Sequence, residues 1–302
     1  MKSLKGSIVP VVTPFDNNMS IDFAAMKKHI EFLVRNGSHG VCVCGSTGEA
    51  TSLSLEEKKK IFAFAVENVR ASIPVVAGIV SSNISETIEL AKSAESFSCS
   101  ALLIGVPYYS RPNQEGIYDY FARILKTVDL PVIVYNIPSR TSSNMESKTL
   151  GRLRKEFSNL VGIKEANRDF EQMNRDILEC GKDFLVYSGI ESLCFPLLCI
   201  GGAGYFSATA NILPNELARM YNLYSEGKWE EARKIHFELL PINIALFMDT
   251  NPVPLKAALG MLGLINEILR PPLLPLAEEK RSELKTVLEK YNLGVIKQDE
   301  ES

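Results

Sequence analysis

One lysine stands at the end of an uninterrupted apolar run, Leu160-Val161-Gly162-Ile163-Lys164. A charged ammonium is costly to desolvate. Burial favours the neutral amine, which can attack a ketone and form a Schiff base. The same position equally suits a lysine that reaches out to water or pairs with its neighbour Glu165. Tyr135 ends the run Pro131-Val132-Ile133-Val134, and a phenol there can either pack or relay a proton to an amine within hydrogen-bond reach. Gly45-Ser46-Thr47-Gly48 offers two hydroxyls and free backbone N–H groups in a turn leading to a helix, which suits a small carboxylate. Such turns are also common without a ligand. Arg140, in Pro138-Ser139-Arg140-Thr141, either grips a carboxylate through bidentate hydrogen bonds or is a solvated loop residue.

Positioning these groups needs a scaffold, and the sequence has a rhythm. Short apolar or β-branched runs recur at Ser7–Pro14, Gly40–Cys44, Pro74–Ile79, Ala101–Val106, Pro131–Tyr135, Leu160–Lys164, Phe184–Ser188 and Gly204–Ala208. Most are continuously apolar, as strands buried on both faces are. Between them, Ile21–Asn36 is amphipathic and stops at Gly37, and Ser54-Leu55-Glu56-Glu57 spells a capping box. Ser85-Glu86-Thr87-Ile88 opens another helix, and a further one covers Gln114–Lys126. Eight strands alternating with helices predict a (β/α)8 TIM barrel; an open doubly wound sheet would need fewer strands or a reversal point.

From Pro214 the pattern is wholly helical, at Glu216–Glu226, Trp229–Leu239, Pro254–Leu262 and Glu278–Tyr291. The expected division is barrel strands and loops over 1–213, then closing helices and an appended helical bundle over 214–302. Reactive groups of such a barrel gather at the C-terminal ends of its strands. Thr13, Gly45–Glu49, Pro107–Pro112, Tyr135–Thr141, Gly162–Ala166 and Ser188-Gly189 all fall there.

Composition narrows the field. The 302 residues are 46% hydrophobic and 23% charged, an ordinary globular balance. Thirty-three basic against 36 acidic residues leave a net charge of −3, so nucleic acid and anionic membranes are poor partners. The uncharged stretch Ser192–Asn215 is broken by Pro196, Gly201, Gly202, Gly204 and Pro214, and reads as core, not as a membrane span. Met1-Lys2-Ser3-Leu4-Lys5-Gly6 lacks the apolar stretch of a secretory signal. Of six cysteines, five lie inside or beside apolar runs and Cys180 ends a predicted helix; reduced, mostly buried thiols of a cytoplasmic protein are expected. Cys42-Val43-Cys44 has no partner at metal-ligand spacing, and His29, His39 and His236 form no cluster, so no metal is expected. Lys297–Ser302 reads as a frayed tail.

Taken in order along the strands, Gly45-Ser46-Thr47-Gly48-Glu49, Pro107-Tyr108-Tyr109-Ser110-Arg111-Pro112, Tyr135-Asn136-Ile137-Pro138-Ser139-Arg140-Thr141 and Gly162-Ile163-Lys164-Glu165-Ala166 form a specific set. The chain resembles the pyruvate-dependent class I aldolase superfamily of dihydrodipicolinate synthases and N-acetylneuraminate lyases. The likeness runs from Gly6-Ser7-Ile8-Val9 to Asn251-Pro252-Val253-Pro254-Leu255-Lys256. It implies that Lys164 forms the Schiff base with pyruvate and that Tyr135 transfers protons beside it. Thr47 and Tyr109 would complete a relay, with Tyr109 reaching into the neighbouring subunit's site. Ser46 and Thr47 would hold the pyruvate carboxylate, and the backbones of Gly189 and Phe206 would line the pocket. The iminium is the electron sink, so no external cofactor is implied.

The resemblance also bears on the second substrate. Arg140 in its Pro-Ser-Arg-Thr setting matches the synthase branch, where it would hold the carboxylate of aspartate semialdehyde on the way to lysine; the sialic-acid lyases lack it. Ser46-Thr47 replaces the usual Thr-Thr pair, and Ala77–Asn83 departs from the usual Gly-Thr-Gly segment. These departures keep another pyruvate-dependent aldolase, lyase or dehydratase open, acting on a sugar-acid or hydroxy-acid substrate. A barrel that binds a keto acid without turnover is the third possibility. A homotetramer, built as a dimer of dimers, is implied. Weak or absent inhibition by lysine is expected: Leu55 and Lys58 replace histidines, Ser82 stands where Asn is expected, and Glu86 and Tyr108 are retained.

Overall fold

The computed structural model describes residues 3–69, 72–291 and 293. The tail from Lys297 lies outside the described residues. Eight parallel strands, β1 (Gly6–Pro10), β2 (Gly40–Val43), β3 (Val75–Ile79), β4 (Ala101–Gly105), β5 (Val132–Asn136), β6 (Leu160–Glu165), β7 (Leu185–Ser188) and β8 (Gly204–Phe206), pair in chain order. β8 returns to β1 and closes the barrel. This is the predicted TIM barrel, with every predicted run supplying one strand.

The continuous apolar runs serve two cores. Ile8, Cys42, Val76, Leu103, Ile133, Tyr187 and Phe206 point into the barrel. Their alternating neighbours Val9, Val41, Val75, Leu102, Val134, Val186 and Tyr205 face the ring of helices. Both sides of the wall are therefore dry, as a parallel sheet requires. The helices start on polar caps. Asp22 accepts from the Ala25 N–H, and Ser54 and Glu57 form the expected capping box. The helix expected to open at Ser85 instead spans Ile84–Ser96, because Asn83 accepts from the N–H groups of both Ser85 and Glu86. Of the thiols, Cys42, Cys44, Cys99 and Cys194 are buried, Cys180 is half-buried and Cys199 is exposed; all six are free.

Helix Pro214–Ser225 packs on β1 and completes the ring. Helix Trp229–Ala245 packs against it, and Glu278–Glu289 packs against both Trp229–Ala245 and Val253–Met261. The first of these runs through Pro241, beyond its expected end at Leu239. Burial of Ile242, Asn243 and Ala245 in the final turns outweighs the hydrogen bond that a proline lacks. No helix among the described residues is long and apolar enough to cross a membrane.

Two buried polar clusters interrupt the apolar layers. Lys256 is fully buried and forms an ion pair with Glu49, whose own backbone is left-handed (φ 54°). The Lys256 ammonium also donates to the Ile268 carbonyl at 2.8 Å and lies 4.2 Å from the centre of the Phe15 ring. Burial lowers its pKa to about 8. The other Glu49 oxygen accepts from the Arg270 N–H at 3.0 Å, while the Arg270 guanidinium grips Glu57 with bonds of 2.8 and 2.6 Å.

The second cluster lies behind β6. Glu165 and Asp176, both buried, face each other between the barrel wall and helix Phe170–Cys180. Burial and the mutual repulsion of the pair raise the Glu165 pKa; burial above all raises that of Asp176 from 3.8 to about 6.

Removing the Lys256 charge leaves Glu49 buried and unpaired. Lys256→Met is expected to destabilise the fold by about 3–5 kcal/mol, read from chemical denaturation. For Asp176, the raised folded pKa means a stabilising contribution that is complete below about pH 4 and lost as pH rises through about 6. Asp176→Asn should therefore gain melting temperature relative to wild type as pH rises from 4 to 7.

Candidate active site

The C-terminal ends of the strands bring most of the predicted residues together. Tyr135 and Lys164 are register partners on β5 and β6, so their side chains enter the barrel side by side. Lys164 is 6% exposed; its Nζ lies 4.1 Å from the centre of the Tyr135 ring and 5.2 Å from that of Phe206. The ring faces supply partial negative charge to an ammonium that has no carboxylate at ion-pair distance among the described residues. Pairing with Glu165 does not occur. Successive strand residues point to opposite faces, and Glu165 turns outward, where its Oε1 accepts from the Asn136 side chain at 2.8 Å.

Gly189 opens the space beside the lysine. A Cβ at this position would stand 2.8 Å from Lys164 Cε and 3.0 Å from Ala166 Cβ. Any side chain would fill the space beside the amine.

The loop after β2 brings Ser46 to the same place. Its hydroxyl approaches the Tyr135 hydroxyl at 3.5 Å, a long contact. Thr47 is buried, and its Oγ1 accepts from the Asn251 side-chain amide at 3.0 Å. The loop is held from below by the Thr13 hydroxyl, which donates to the Gly48 carbonyl at 2.7 Å, and from the side by the Glu49–Lys256 pair.

Arg140 sits on the short helix Pro138–Thr141 after β5 and donates to the Asn251 backbone carbonyl at 2.7 Å. Two adjoining cavities share Ile137, Ser139, Arg140 and Thr250 as a common wall. One, of about 510 Å³, reaches Ser46, Tyr108 and Tyr135. The other, of about 710 Å³, reaches Ala166, Gly189 and Glu191 and extends to Ile244 and Phe247. Lys164 lies between Tyr135 of the first and Gly189 of the second.

Tyr109 stands apart from this group. It is 94% exposed, on the loop after β4, with a left-handed backbone (φ 71°). The structure does not bring its hydroxyl to Thr47 or Tyr135 within the chain.

Two residues that the sequence reading passed over belong to the site. Asn251 joins Thr47 to Arg140, so the segment before helix Val253–Met261 ties together two of the predicted substrate ligands. Glu191 is buried in the larger cavity's wall, accepting from the Ser207 hydroxyl at 2.6 Å and the Ala208 N–H at 2.7 Å. Burial raises its pKa, against these hydrogen bonds and the nearby Lys164 charge. Its position three residues past Ser188, at the end of an apolar strand, was the available signal. Among the described residues no group of three or more His, Cys, Asp or Glu could hold a metal ion.

Comparison with known proteins places the chain in a family. The chain is 42% identical to the 4-hydroxy-tetrahydrodipicolinate synthase of Thermus thermophilus, over 96% of its own length and 97% of the relative's. The crystal structure of dihydrodipicolinate synthase from Aquifex aeolicus superposes with a TM-score of 0.95 at 36% identity, covering 97% of this chain and all of the other. That of the chloride-inhibited dihydrodipicolinate synthase from Acinetobacter baumannii, complexed with pyruvate, gives 0.93 at 33% identity, covering 96% of this chain and all of the other. The sequence profile of the dihydrodipicolinate synthetase family matches residues 3–291. The chain belongs to that family and is an enzyme of it, a lyase.

Proposed function

We propose that the enzyme condenses pyruvate with aspartate semialdehyde to 4-hydroxy-tetrahydrodipicolinate through a Schiff base on Lys164. The observation that carries this reading is the Lys164 amine itself: buried, without a carboxylate partner, stacked against Tyr135 and beside the open face of Gly189. Nζ attacks C2 of pyruvate and water leaves, forming an iminium. The iminium draws electrons from C3, whose proton departs, and the resulting enamine attacks the aldehyde carbon. The amine of the second substrate then displaces Lys164 from C2 and closes the ring. Tyr135 is the nearest proton carrier, with Ser46 next to it. Lys164 supplies the electron sink, so the reaction draws on no cofactor.

Ser46 and Thr47 are read as the grip on the pyruvate carboxylate, with Gly189 and Phe206 lining that pocket. Arg140, on the wall common to both cavities, is read as the grip on the aldehyde's carboxylate. The complex of the Acinetobacter relative with pyruvate supports the first substrate, and the names of the curated relatives support the second. One feature favours a broader reading. The larger cavity runs past Arg140 to Ile244 and Phe247, with room for a longer aldehyde acid.

The exposure of Tyr109 supports a role outside its own chain, completing the relay in a neighbouring subunit of a dimer within a tetramer. Lys58 donates to Glu86 at 3.0 Å and so occupies the carboxylate that a regulatory lysine would need, which supports weak or absent feedback.

Turnover is expected with pyruvate and aspartate semialdehyde in an assay coupled to reduction of the product. Arg140→Ala should lower kcat/KM about 10²-fold or more, by loss of a charge-assisted bidentate contact. Borohydride should trap a pyruvyl adduct on Lys164 in both proteins. An adduct without turnover would transfer the assignment to longer hydroxy-acid or sugar-acid aldehydes, and absence of the adduct would remove the Schiff-base reading. Tyr109→Phe should form the adduct yet lose most of its turnover; wild-type turnover in that variant would exclude the relay role.

A further inference from the structure

The two faces of the barrel wall carry matched pairs. On the inner face Tyr135 of β5 stands beside Lys164 of β6; one residue further along, on the outer face, Asn136 stands beside Glu165. Asn136 Nδ2 donates to Glu165 Oε1 at 2.8 Å and to Asn144 Oδ1 at 2.8 Å, and Asn136 Oδ1 accepts from the Met145 N–H at 3.1 Å. Gln172 Nε2 adds a second donor to Glu165 Oε1 at 3.3 Å and is itself held by the Met145 carbonyl. The backbone repeats the tie. The Ala166 N–H donates to the Asn136 carbonyl at 2.8 Å, and the Gly189 N–H donates to the Glu165 carbonyl at 2.6 Å.

Glu165 Oε2 and both Asp176 oxygens are buried, and the donors that face the pair are the Ser147 hydroxyl, beside Asp176, and the Asn167 N–H, beside Glu165. Buried acceptors left unpaired are costly, and two facing carboxylates cannot both ionise cheaply. A single proton on Glu165, donated to one Asp176 oxygen, removes the repulsion and satisfies both Glu165 Oε2 and that oxygen. The other charged or titratable groups that face the pair are Arg175 and Asp169, beside Asp176, and the Cys180 thiol at the end of the same helix. None of them supplies that proton bridge.

We propose that Glu165 is a positioning residue for the reaction: its carboxyl, bound to Asn136 on one side and to Asp176 on the other, clamps β6 to β5 from outside the barrel and so holds Lys164 against Tyr135 inside it. The inference rests on Lys164 being the Schiff-base lysine. Burial and the Asp176 charge both favour the protonated form of Glu165. As pH rises the clamp loses that proton, two buried negative charges face each other, and the alignment of the inner pair relaxes. Misalignment of reacting groups by about 1 Å is worth about 10²-fold in rate, so the clamp acts on kcat more than on substrate binding.

The test uses Glu165→Ala and Glu165→Gln in the full-length enzyme. Glutamine has the shape of the protonated acid: its carbonyl accepts from Asn136 and its amide donates to Asp176. Glu165→Ala is expected to lose about 10- to 100-fold in kcat, with the pyruvate KM within about twofold of wild type. Glu165→Gln is expected to stay within about threefold at pH 7. Equal kcat in all three proteins, or equal losses in Ala and Gln, overturns the proposal.

Should Glu165→Ala not fold, the pH dependence decides. The ratio of kcat in Glu165→Gln to that in wild type should rise several-fold between pH 7 and pH 9, and a flat ratio overturns the clamp. Borohydride trapping of pyruvate on wild-type Lys164 separates the two readings. No adduct there removes the Schiff base, whereas an adduct with a flat ratio removes only the role of Glu165.

Discussion

A buried ion pair between Glu49 and Lys256 holds the site to the rest of the molecule. Such a pair gains little over a well-packed apolar substitute, because desolvating two charges consumes most of their attraction. Its value here is geometric. Glu49 is the last residue of the turn that presents Ser46 and Thr47, and Lys256 lies in the helix that follows Asn251. Joining them fixes the hydroxyl-bearing turn against the C-terminal helices, and Asn251 then reaches both Thr47 and Arg140. The left-handed backbone at Glu49 is sustained by the same contacts. Phe15 takes the remaining polarity of the cluster, with the Lys256 ammonium and the Arg270 guanidinium both within 4.4 Å of its ring centre.

The reactive side chains depend on a second constraint, the two-residue period of a strand. In β6, Ile163 faces the helices, Lys164 the barrel axis and Glu165 the helices again. The lysine thus meets aromatic faces while the adjacent acid meets amides and another acid. Two neighbouring titratable residues are kept in separate surroundings by one layer of backbone. That separation leaves the amine with no carboxylate at ion-pair distance among the described residues.

Much of this was legible before any coordinates. Each of the eight strands lies in an apolar run, because a wall buried on both sides tolerates few polar residues. The capping box at Ser54 was legible because the side-chain chemistry is local. What escaped depended on exact local geometry or on long-range contact. Asn83 and Ser85 are both capable caps, and only the geometry of the bond to the Glu86 N–H selects the first. Proline at 241 reads locally as a stop, yet tertiary packing carries the helix past it. Lys164 and Glu165 look like a pair in one dimension and are separated by the pleat. Asn251 lies 204 residues from the threonine it binds, and no periodicity records such a distance. The roles proposed for Lys164, Tyr135, Arg140 and Tyr109 rest on resemblance, whereas their bare positions allowed bland readings as well.

The Glu49–Lys256 link has a consequence for synthesis of the chain. Lys164 and Tyr135 are in place once the first six strands have been made, but the partners that lock the Ser46–Thr47 turn are encoded nearly a hundred residues later, at Asn251 and Lys256. A nascent chain that has formed most of its barrel therefore holds the amine without a fixed carboxylate cradle beside it. The order of translation separates the appearance of the proposed nucleophile from the completion of its proposed binding site, and the last quarter of the polypeptide fixes the first.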